Sequence, residues 1–333
     1  MATIDFLPFA TGSGANVLSQ AEWAALTQRL SGFQSGVAKS DQLNKAWRQS
    51  SIMAAVIAGF VADVTGRDVI DDGTTATILA NLKAAVSAQS IGVVGSARNA
   101  RMIVSTPSAT ATFTADEVVV ESALGGLTYR LPNFSKTINL ATTGAGGMDS
   151  GQAPASGFVA IYAIYNPSTG ATALLANDAT SAAQPEVYSG TAMPSGYTAS
   201  ALVSIAPTTS GRLLAPMVQR GRVVGVPAVS ILSSSTGGTL LPVTSTAIPL
   251  NAYRIRGSMA YTIPVAATVN YYIYGDANST DQSFLGFTQG AAGAWGQGGV
   301  FDCILRDPQR FYVTVTATAG APTFGASMAS YWF

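Results

Sequence analysis

The first third of the chain repeats its apolar residues at helical intervals. Leu43, Trp47 and Ala54 recur at spacings of four and seven residues, which predicts a long amphipathic helix. Gly66 follows the last apolar position of this series, and glycine is the residue that most often ends a helix. We therefore predict a helix that stops just before Gly66.

One further helix is predicted before this one and another after it. Ser19 and Glu22 have the spacing of a capping box, in which each side chain accepts a hydrogen bond from the other residue's backbone N–H. Beyond a turn at 71–73, Ile78 and Leu82 lie at helical spacing again. The pattern thus predicts a helical region made of three segments.

The remainder of the chain has the pattern of short strands. Phe158–Tyr165 is a continuous apolar run of strand length, and the turn residues at 166–170 predict a hairpin that returns over 171–176. The segment 311–316 alternates apolar and polar residues with a period of two. Many short strands with turn signals between them are typical of an all-β sandwich or barrel.

These patterns predict an α+β protein with an N-terminal helical segment followed by two all-β, sandwich-like domains. A cluster of Pro, Ser and Gly residues over 226–240 predicts a linker between the two β domains. The predicted parts are an arm at 1–18, a helical trimerisation or attachment segment at 19–95, a β spacer at 100–225, the linker at 226–240 and a β tip at 241–333.

Composition excludes some classes of protein and favours assembly. Charged residues make up 10% of the 333 residues, against about 25% in ordinary soluble domains. Lys and Arg together number 17, as do Asp and Glu, so the net charge is zero. This balance excludes a strongly basic nucleic-acid-binding protein and a polybasic membrane anchor. We expect contacts between subunits to cover part of this weakly charged surface; the alternative is a monomer coated by Ser and Thr.

Residue usage also limits the chemistry and the location. The chain has no histidine, which excludes His-based catalysis and His-ligated metals. Cys303 is the only cysteine, so no intrachain disulfide or multi-cysteine zinc site can form. The longest apolar stretch, at 52–62, is shorter than the about 20 residues that span a bilayer, and no export signal is present at the N-terminus. We expect a protein that is made in the cytoplasm and does not insert into membranes.

Carboxylates are the remaining candidates for catalysis or metal binding. Asp116 and Glu117 are neighbours in a strand-like segment, so they face opposite sides of it. Asp276 and Asp281 flank Asn278, a spacing that either binds a cation through oxygen ligands or forms a plain turn; we favour the turn. We predict no catalytic, cofactor-binding or metal-binding residue and no enzymatic activity.

Two groups of residues are candidates for contacts with other molecules. Apolar residues crowd the N-terminal arm, which is too short to bury them by itself: it either docks on a neighbouring protein or forms the first strand of its own domain. Aromatic residues lie in or near a glycine-rich stretch at 286–299, predicted to be a loop, and aromatic faces stack on sugars and anchor interfaces. The candidates are Ile4, Phe6, Leu7 and Phe9 in the arm, and Phe284, Phe287 and Trp295 in the tip.

Several long motifs within about residues 1–220 carry a family resemblance. They are FLPFATG at 6–12, ANVL at 15–18, GFQSGVAKS at 32–40, LNKAWRQSS at 43–51, IDDG at 70–73, LANLKAA at 79–85, LPNFSKTINLATTGAGGMD at 131–149, FVAIYAIYNP at 158–167 and MPSGYTASAL at 193–202. These motifs resemble the tail fibre proteins of tailed bacteriophages and prophages of Gram-negative bacteria.

The resemblance implies an intertwined homotrimer that is a structural part of the virion and is assembled in the host cytoplasm. It implies that the N-terminal arm attaches to tail tip or baseplate proteins. It also implies that the C-terminal part binds the host surface, either lipopolysaccharide glycan or a pilus.

Two other functions stay open at this point. A tailspike-type depolymerase would cleave surface glycan with two carboxylates, although the sequence shows no repeat of the β-helix kind. A purely structural baseplate connector would carry another protein as its tip.

Overall fold

A computed structural model describes residues 2–88, 92–289 and 295–333. It describes the backbone alone at Ser87, Ala88, Gln289 and Trp295. Strands account for 42% of the chain and helices for 15%, so the protein is mostly β with a few helices and large antiparallel sheets. The chain divides into two compact units, Met1–Ile91 and Gly92–Phe333, which we call the N-terminal unit and the β unit.

The described helices all lie in the N-terminal unit. They are α1 (Gln20–Ala25), α2 (Gln28–Ser31), α3 (Ser40–Thr65) and α4 (Ala76–Ala88). The predicted capping box is present, with the Ser19 hydroxyl and the Glu22 carboxylate each accepting the other residue's backbone N–H. The predicted end of α3 is also present, because Gly66 takes a left-handed conformation with φ of 66°.

The first predicted helix is interrupted. Its apolar spacing extended through Leu30, but the backbone turns extended at Leu26, which separates α1 from α2. No residue of α1 is buried, so no tertiary packing holds a longer helix together, and short helices are marginal without such packing. The core of this unit instead forms between α3 and α4, where Val61 and Ala85 are fully buried. None of the described helices is long and apolar enough to cross a membrane.

The β unit is built from antiparallel strands. They are β1 (Ala97–Arg98), β2 (Arg101–Val104), β3 (Thr110–Glu121), β4 (Thr128–Asn139), β5 (Phe158–Tyr165), β6 (Thr172–Asp178), β7 (Ala199–Pro207), β8 (Met217–Arg220), β9 (Val223–Ser234), β10 (Gly238–Thr244), β11 (Arg254–Ile263), β12 (Ala267–Tyr274), β13 (Ser283–Gln289), β14 (Trp295–Ile304), β15 (Arg310–Ala317) and β16 (Thr323–Trp332).

The strands form two sheets. Twelve strands make a large sheet whose main order is β14-β11-β16-β9-β8-β2-β3-β7-β5-β6, with β1 and β4 also paired to β3. Four strands make a small sheet in the order β10-β15-β12-β13. The small sheet packs on the β11–β16 part of the large one, since the rings of Tyr271 and Phe324 lie 5.5 Å apart. This arrangement is sandwich-like.

The structure contradicts the predicted linker between two β domains. The segment 226–240 lies mostly in β9 and β10, and β9 pairs with β8 on one edge and with β16 on the other. Within 226–240, pairing of β9 with β16 and of β10 with β15 outweighs the weak strand propensity of the Ser, Gly and Pro residues.

The two predicted β domains also share one hydrophobic core. The ring of Phe158 on β5 lies 6.3 Å from the ring of Tyr331 on β16. The Tyr331 hydroxyl donates a hydrogen bond to the carbonyl of Ile205 on β7 at 2.6 Å. Residues from 92 to 333 therefore form one unit, in which a spacer and a tip do not separate.

The glycine-rich stretch at 286–299 is largely strand, which corrects the predicted loop. It contains the end of β13 and the start of β14, while 290–294 lie outside the described residues. Packing is close here, because a Cβ on Gly299 would lie 3.2 Å from a methyl carbon of Leu285 and would displace that side chain slightly.

Candidate interaction surfaces

The carboxylates considered as catalytic or metal-binding candidates stabilise turns and strands. Asp276 accepts hydrogen bonds from the backbone N–H groups of Thr280 and Asn278, both at 3.0 Å, and the Thr280 bond lowers the pKa of Asp276 below its ordinary value. Asp281 accepts the backbone N–H of Ile304. Across the part of the chain that the structure describes, no three Cys, Asp or Glu side chains are grouped to hold a metal ion.

The N-terminal arm lies on its own unit. Ile4 forms a parallel bridge with Val69, four residues after the end of α3. Further along the arm, the backbone N–H of Phe9 donates to the Ser51 hydroxyl at 2.8 Å, and the Phe9 ring meets Trp47 edge-on with 6.0 Å between ring centres. The arm is thus placed by α3 rather than free in solution.

The four arm candidates differ in exposure. Ile4 and Phe6 are half-buried, whereas Leu7 and Phe9 are 73% and 44% exposed. The arm therefore contacts its own unit and still presents two large apolar side chains to solvent. Its role in attachment stays a prediction.

One side of α3 is apolar and exposed. Its residues lie at positions i, i+1, i+4, i+5 and i+8, which a helix brings to one side. All are between 38% and 59% exposed. We call this surface the α3 face, and it consists of Ile52, Met53, Val56, Ile57 and Phe60.

The α3 face is also uncharged along its length. No charged residue occurs between Arg48 and Asp63, so charged side chains are absent from almost four turns of the helix. The neighbouring helix α4 adds Leu79 and Val86, which are two turns apart and 51% and 59% exposed. Apolar patches of this kind on soluble proteins mark interaction sites.

A second candidate surface lies on the outer side of the small sheet. The ring of Tyr272 stacks on that of Phe284 with 4.6 Å between centres, and Tyr272 and Tyr274 stack at 5.8 Å. The register places Tyr274 opposite Tyr312 on the neighbouring strand. We call this surface, made by Tyr272, Tyr274, Phe284 and Tyr312, the aromatic face. Tyr272 and Tyr312 are half-buried and Phe284 is exposed, whereas Tyr274 is buried.

Polar side chains continue the aromatic face along the same strands. Thr268 and Thr288 are opposite each other on β12 and β13, and their hydroxyl groups lie 3.0 Å apart in a hydrogen bond. Asn270 follows Thr268 on the same side of β12, and Thr316 is its partner on β15. Flat rings beside hydroxyl and amide groups are the combination that sugars require, because a sugar ring has an apolar face and a polar rim.

The three predicted receptor residues do not share one surface. Phe284 is 53% exposed and belongs to the aromatic face. Phe287 is 42% exposed but faces the opposite side of the sheet, where its register partner Val269 is buried. Trp295 pairs with Ile263 at the start of β14, and its side chain lies outside the described atoms.

The tyrosines of the aromatic face were not among the predicted site residues. A usable signal was present, because Tyr272 and Tyr274 are two residues apart and must share a side of a strand. Their position beside Phe284 depends on strand pairing, which the sequence does not specify.

Several titratable groups of the β unit are held neutral by burial. Burial, reinforced by the charge of Asp281, raises the pKa of the Cys303 thiol to about 12, which removes it as a nucleophile. Burial and a hydrogen bond to Asp149 at 2.8 Å raise the pKa of Tyr188 to about 12. Burial raises the pKa of Tyr331 as well. These three side chains stay protonated and contribute to the packing of the β unit.

Comparisons with known proteins leave the family open. No family model matches the chain, and no curated protein matches it. Among solved structures, a match titled "Crystal structure of a Bacillus thuringiensis Cry1Da tryptic core variant" has 9% sequence identity and a TM-score of 0.20. The match covers 75% of this chain and 54% of that one, so this chain spans about half of its length. A likeness at this TM-score carries no argument about fold or function.

Proposed function

We propose that this protein is a tail fibre of a tailed bacteriophage or prophage of Gram-negative bacteria. In this proposal it is a structural virion protein without enzymatic activity, assembled in the host cytoplasm. Its N-terminal unit attaches to tail tip or baseplate proteins, and its β unit binds the host surface. The motifs within 1–220 support the family, and the uncharged α3 face is the observation that carries the proposal.

The α3 face supports assembly into an intertwined homotrimer. Burying a large apolar side chain contributes about 1.5–3 kcal/mol, and each chain offers five of them on this face. The face has no charge that an apolar neighbour would have to desolvate. A symmetric assembly of identical chains is the commonest solution for such a surface.

The arm supports attachment. Leu7 and Phe9 are exposed on a segment that α3 already holds, so little backbone order is lost when they dock. In the proposed fibre these two side chains enter an apolar pocket of a tail tip or baseplate protein.

The aromatic face supports binding of a surface glycan rather than a pilus. Tyr272 and Phe284 provide flat apolar rings, and Thr268 and Asn270 provide hydrogen-bonding groups beside them. Contacts of millimolar strength suffice when three copies act together, because linked sites multiply their effect through avidity.

The proposal is tested first by the mass of the full-length protein in light scattering coupled to size exclusion. We expect the mass of three chains. The same preparation is then incubated with purified envelope glycan, and binding without release of soluble sugar is expected. A monomer would contradict the fibre, and sugar release would favour a depolymerase.

A variant of the aromatic face distinguishes a receptor-binding fibre from a purely structural connector. Deleting 241–333 is not a usable test, because that segment shares the core of the β unit. Particles that carry the Tyr272→Ala/Phe284→Ala variant provide the test instead. Unchanged adsorption with normal assembly would favour a connector.

A further inference from the structure

A polar cleft of about 460 Å³ lies on the large sheet of the β unit, at a distance in sequence from the aromatic face. It is lined by side chains from β2, β3, β4 and β8 and from the turns next to them. The residues used below are Asn99, Arg101, Thr114, Asn133, Ser135 and Arg220. A volume between about 300 and 1,000 Å³ is typical of small-molecule sites.

The strand register places two arginines side by side in this cleft. Arg101 on β2 is directly opposite Arg220 on β8. Directly opposite residues of an antiparallel pair have Cβ atoms about 4.5–5.5 Å apart, and like charges in this position destabilise a sheet. In a chain with 17 Lys and Arg residues in 333, this arrangement calls for a compensating group.

The protein itself supplies little compensation. Among the described residues, neither Arg101 nor Arg220 has a carboxylate oxygen within the 4.0 Å of an ion pair. The Nε of Arg101 donates to the Thr114 hydroxyl at 3.0 Å. Asp116 is the acid in the cleft, and it accepts the Asn99 amide at 2.5 Å. Two guanidinium groups against one carboxylate leave the cleft with a positive charge.

The geometry of the arginine pair suits an oxyanion. A guanidinium group presents parallel N–H donors that match the oxygens of a phosphate group, and two guanidinium groups can hold one phosphate from two sides. The cleft volume of about 460 Å³ leaves room beside the two arginines for more than an anionic group.

Uncharged polar groups line the remainder of the cleft. Ser135 on β4 is opposite Thr114, which continues the cross-sheet row that starts at Arg220 and Arg101. Asn133 stands beside this row and has a left-handed backbone with φ of 51°. Asparagine adopts this conformation more readily than most other non-glycine residues, so the backbone here suits the residue. Hydroxyl and amide groups of this kind hydrogen-bond to the hydroxyls of a sugar.

We propose that this cleft binds a sugar that carries a phosphate group. Arg101 and Arg220 hold the phosphate, and Asn133 and Ser135 hydrogen-bond to the sugar hydroxyls. The inference rests on the cleft alone and does not require the proposed fibre function. It assigns a binding role to the region that the sequence predicted to be a spacer.

The test is isothermal titration calorimetry of the full-length protein at low ionic strength, with glucose 6-phosphate, inorganic phosphate and glucose as probes. We expect glucose 6-phosphate to bind most tightly. Arg101→Gln and Arg220→Gln should each weaken it about tenfold or more, because each removes a charged hydrogen-bond donor. Arg310→Gln is the matched control, an exposed strand arginine of the small sheet, and should leave binding unchanged.

Thermal unfolding without a probe is the second readout. Arg220→Gln should raise the melting temperature, because it removes the repulsion across β2 and β8, whereas Arg310→Gln should not. Two results would overturn the proposal: no binding of glucose 6-phosphate, or equal binding by the Gln variants. Equally tight binding of inorganic phosphate would overturn the sugar part. Fibre function is measured by mass and adsorption, so either proposal can fail alone.

Discussion

The N-terminal unit and the β unit are both poor in charged residues, with 13 of 91 and 21 of 242, but they place their large apolar side chains differently. In the β unit, the strand β5 buries every residue from Phe158 to Ile164, with at most 8% exposure. In the N-terminal unit, six large apolar side chains of α3, the five of the α3 face and Trp47, are at least 38% exposed. One unit covers its apolar surface within a single chain, and the other does not.

The difference follows from the architecture of each unit. A strand in the middle of a large sheet has partners on both edges and packed layers on both faces, so all of its side chains can be buried. Two helices cover only one side of each other, and a helix with apolar residues on a wide arc leaves some of them exposed. Low charge alone therefore does not distinguish the two units, whereas the exposed apolar residues of the two-helix layer do.

The largest expected effect breaks the core of the β unit. Ile161→Ala should lower the free energy of unfolding by about 2–5 kcal/mol, because Ile161 is fully buried on β5 and its truncation leaves a cavity. Urea unfolding followed by circular dichroism measures it. Ile304→Ala is the matched control, since Ile304 is 51% exposed on β14 and its truncation should change the free energy by about 0.5 kcal/mol or less. Equal effects at both positions would contradict the buried core.

The next largest effect is expected from substitutions on the α3 face, which should disrupt the proposed assembly and leave the buried core unchanged. The triple variant Met53→Gln/Val56→Gln/Phe60→Gln should raise the dissociation constant of the oligomer by about 100-fold or more, since each side chain loses its apolar burial. Light scattering should then report the mass of one chain at micromolar concentration.

The control for this variant uses exposed apolar residues outside the α3 face. Leu30→Gln and Val37→Gln change side chains that are 80% and 97% exposed, and both should leave the oligomer mass unchanged. An unchanged mass in the triple variant would show that the α3 face is not the interface.

A smaller effect is expected on the aromatic face. Tyr272→Ala and Phe284→Ala should each weaken binding to purified envelope glycan about tenfold, because a stacking contact is worth about 0.5–1.5 kcal/mol beyond its buried area and acts in several copies. Phe287→Ala is the control, with similar exposure on the opposite side of the sheet. A loss that is equal for Phe287 would place the glycan elsewhere.

The smallest effect expected near neutral pH is a difference between the two units in how their stability depends on pH. Cys303 and Tyr188 have pKa values raised to about 12 in the folded protein, against about 8.5 and 10 in an unfolded chain. The folded β unit then holds protons that the unfolded chain releases, so its stability is full below about pH 8.5 and falls as the pH rises towards 12. The N-terminal unit has no Tyr or Cys and should keep its helices at the onset.

Circular dichroism at pH 8 to 11 measures this separation. Cys303→Ala should move the onset of the loss from about pH 8.5 towards pH 10, where only tyrosines contribute. Simultaneous loss of strands and helices from pH 8.5 would contradict the prediction that the β unit loses its structure first.

Local signals in the sequence predicted the elements that depend on local chemistry. The capping box of Ser19 and Glu22, the end of α3 at Gly66 and the hairpin of β5 and β6 are all present. Each depends on residues that are close in sequence, where propensity and turn chemistry decide the structure.

The elements that the sequence did not predict depend on distant partners. Ser233 and Gly325 are paired across β9 and β16, and nothing near 226–240 indicates such a partner. The same reason applies to the surfaces. The exposure of Phe284 was predicted, but its position beside Tyr272 follows from the register of β12 and β13. Strand pairing over long sequence separations overrides local propensity.

The position of β16 has a consequence for the order of folding. This strand follows both β9 and β11 in the sequence, and it pairs with β11 on one edge and with β9 on the other. Until the ribosome has released it, both of those strands have open edges that invite pairing with other chains. Local hairpins such as β5–β6 can form early, whereas the bond from Tyr331 to Ile205 joins residues 126 apart and must form late. The β5–β6 end of the large sheet can therefore form before the part around β16, and β9 and β11 keep unpaired edges in the interval.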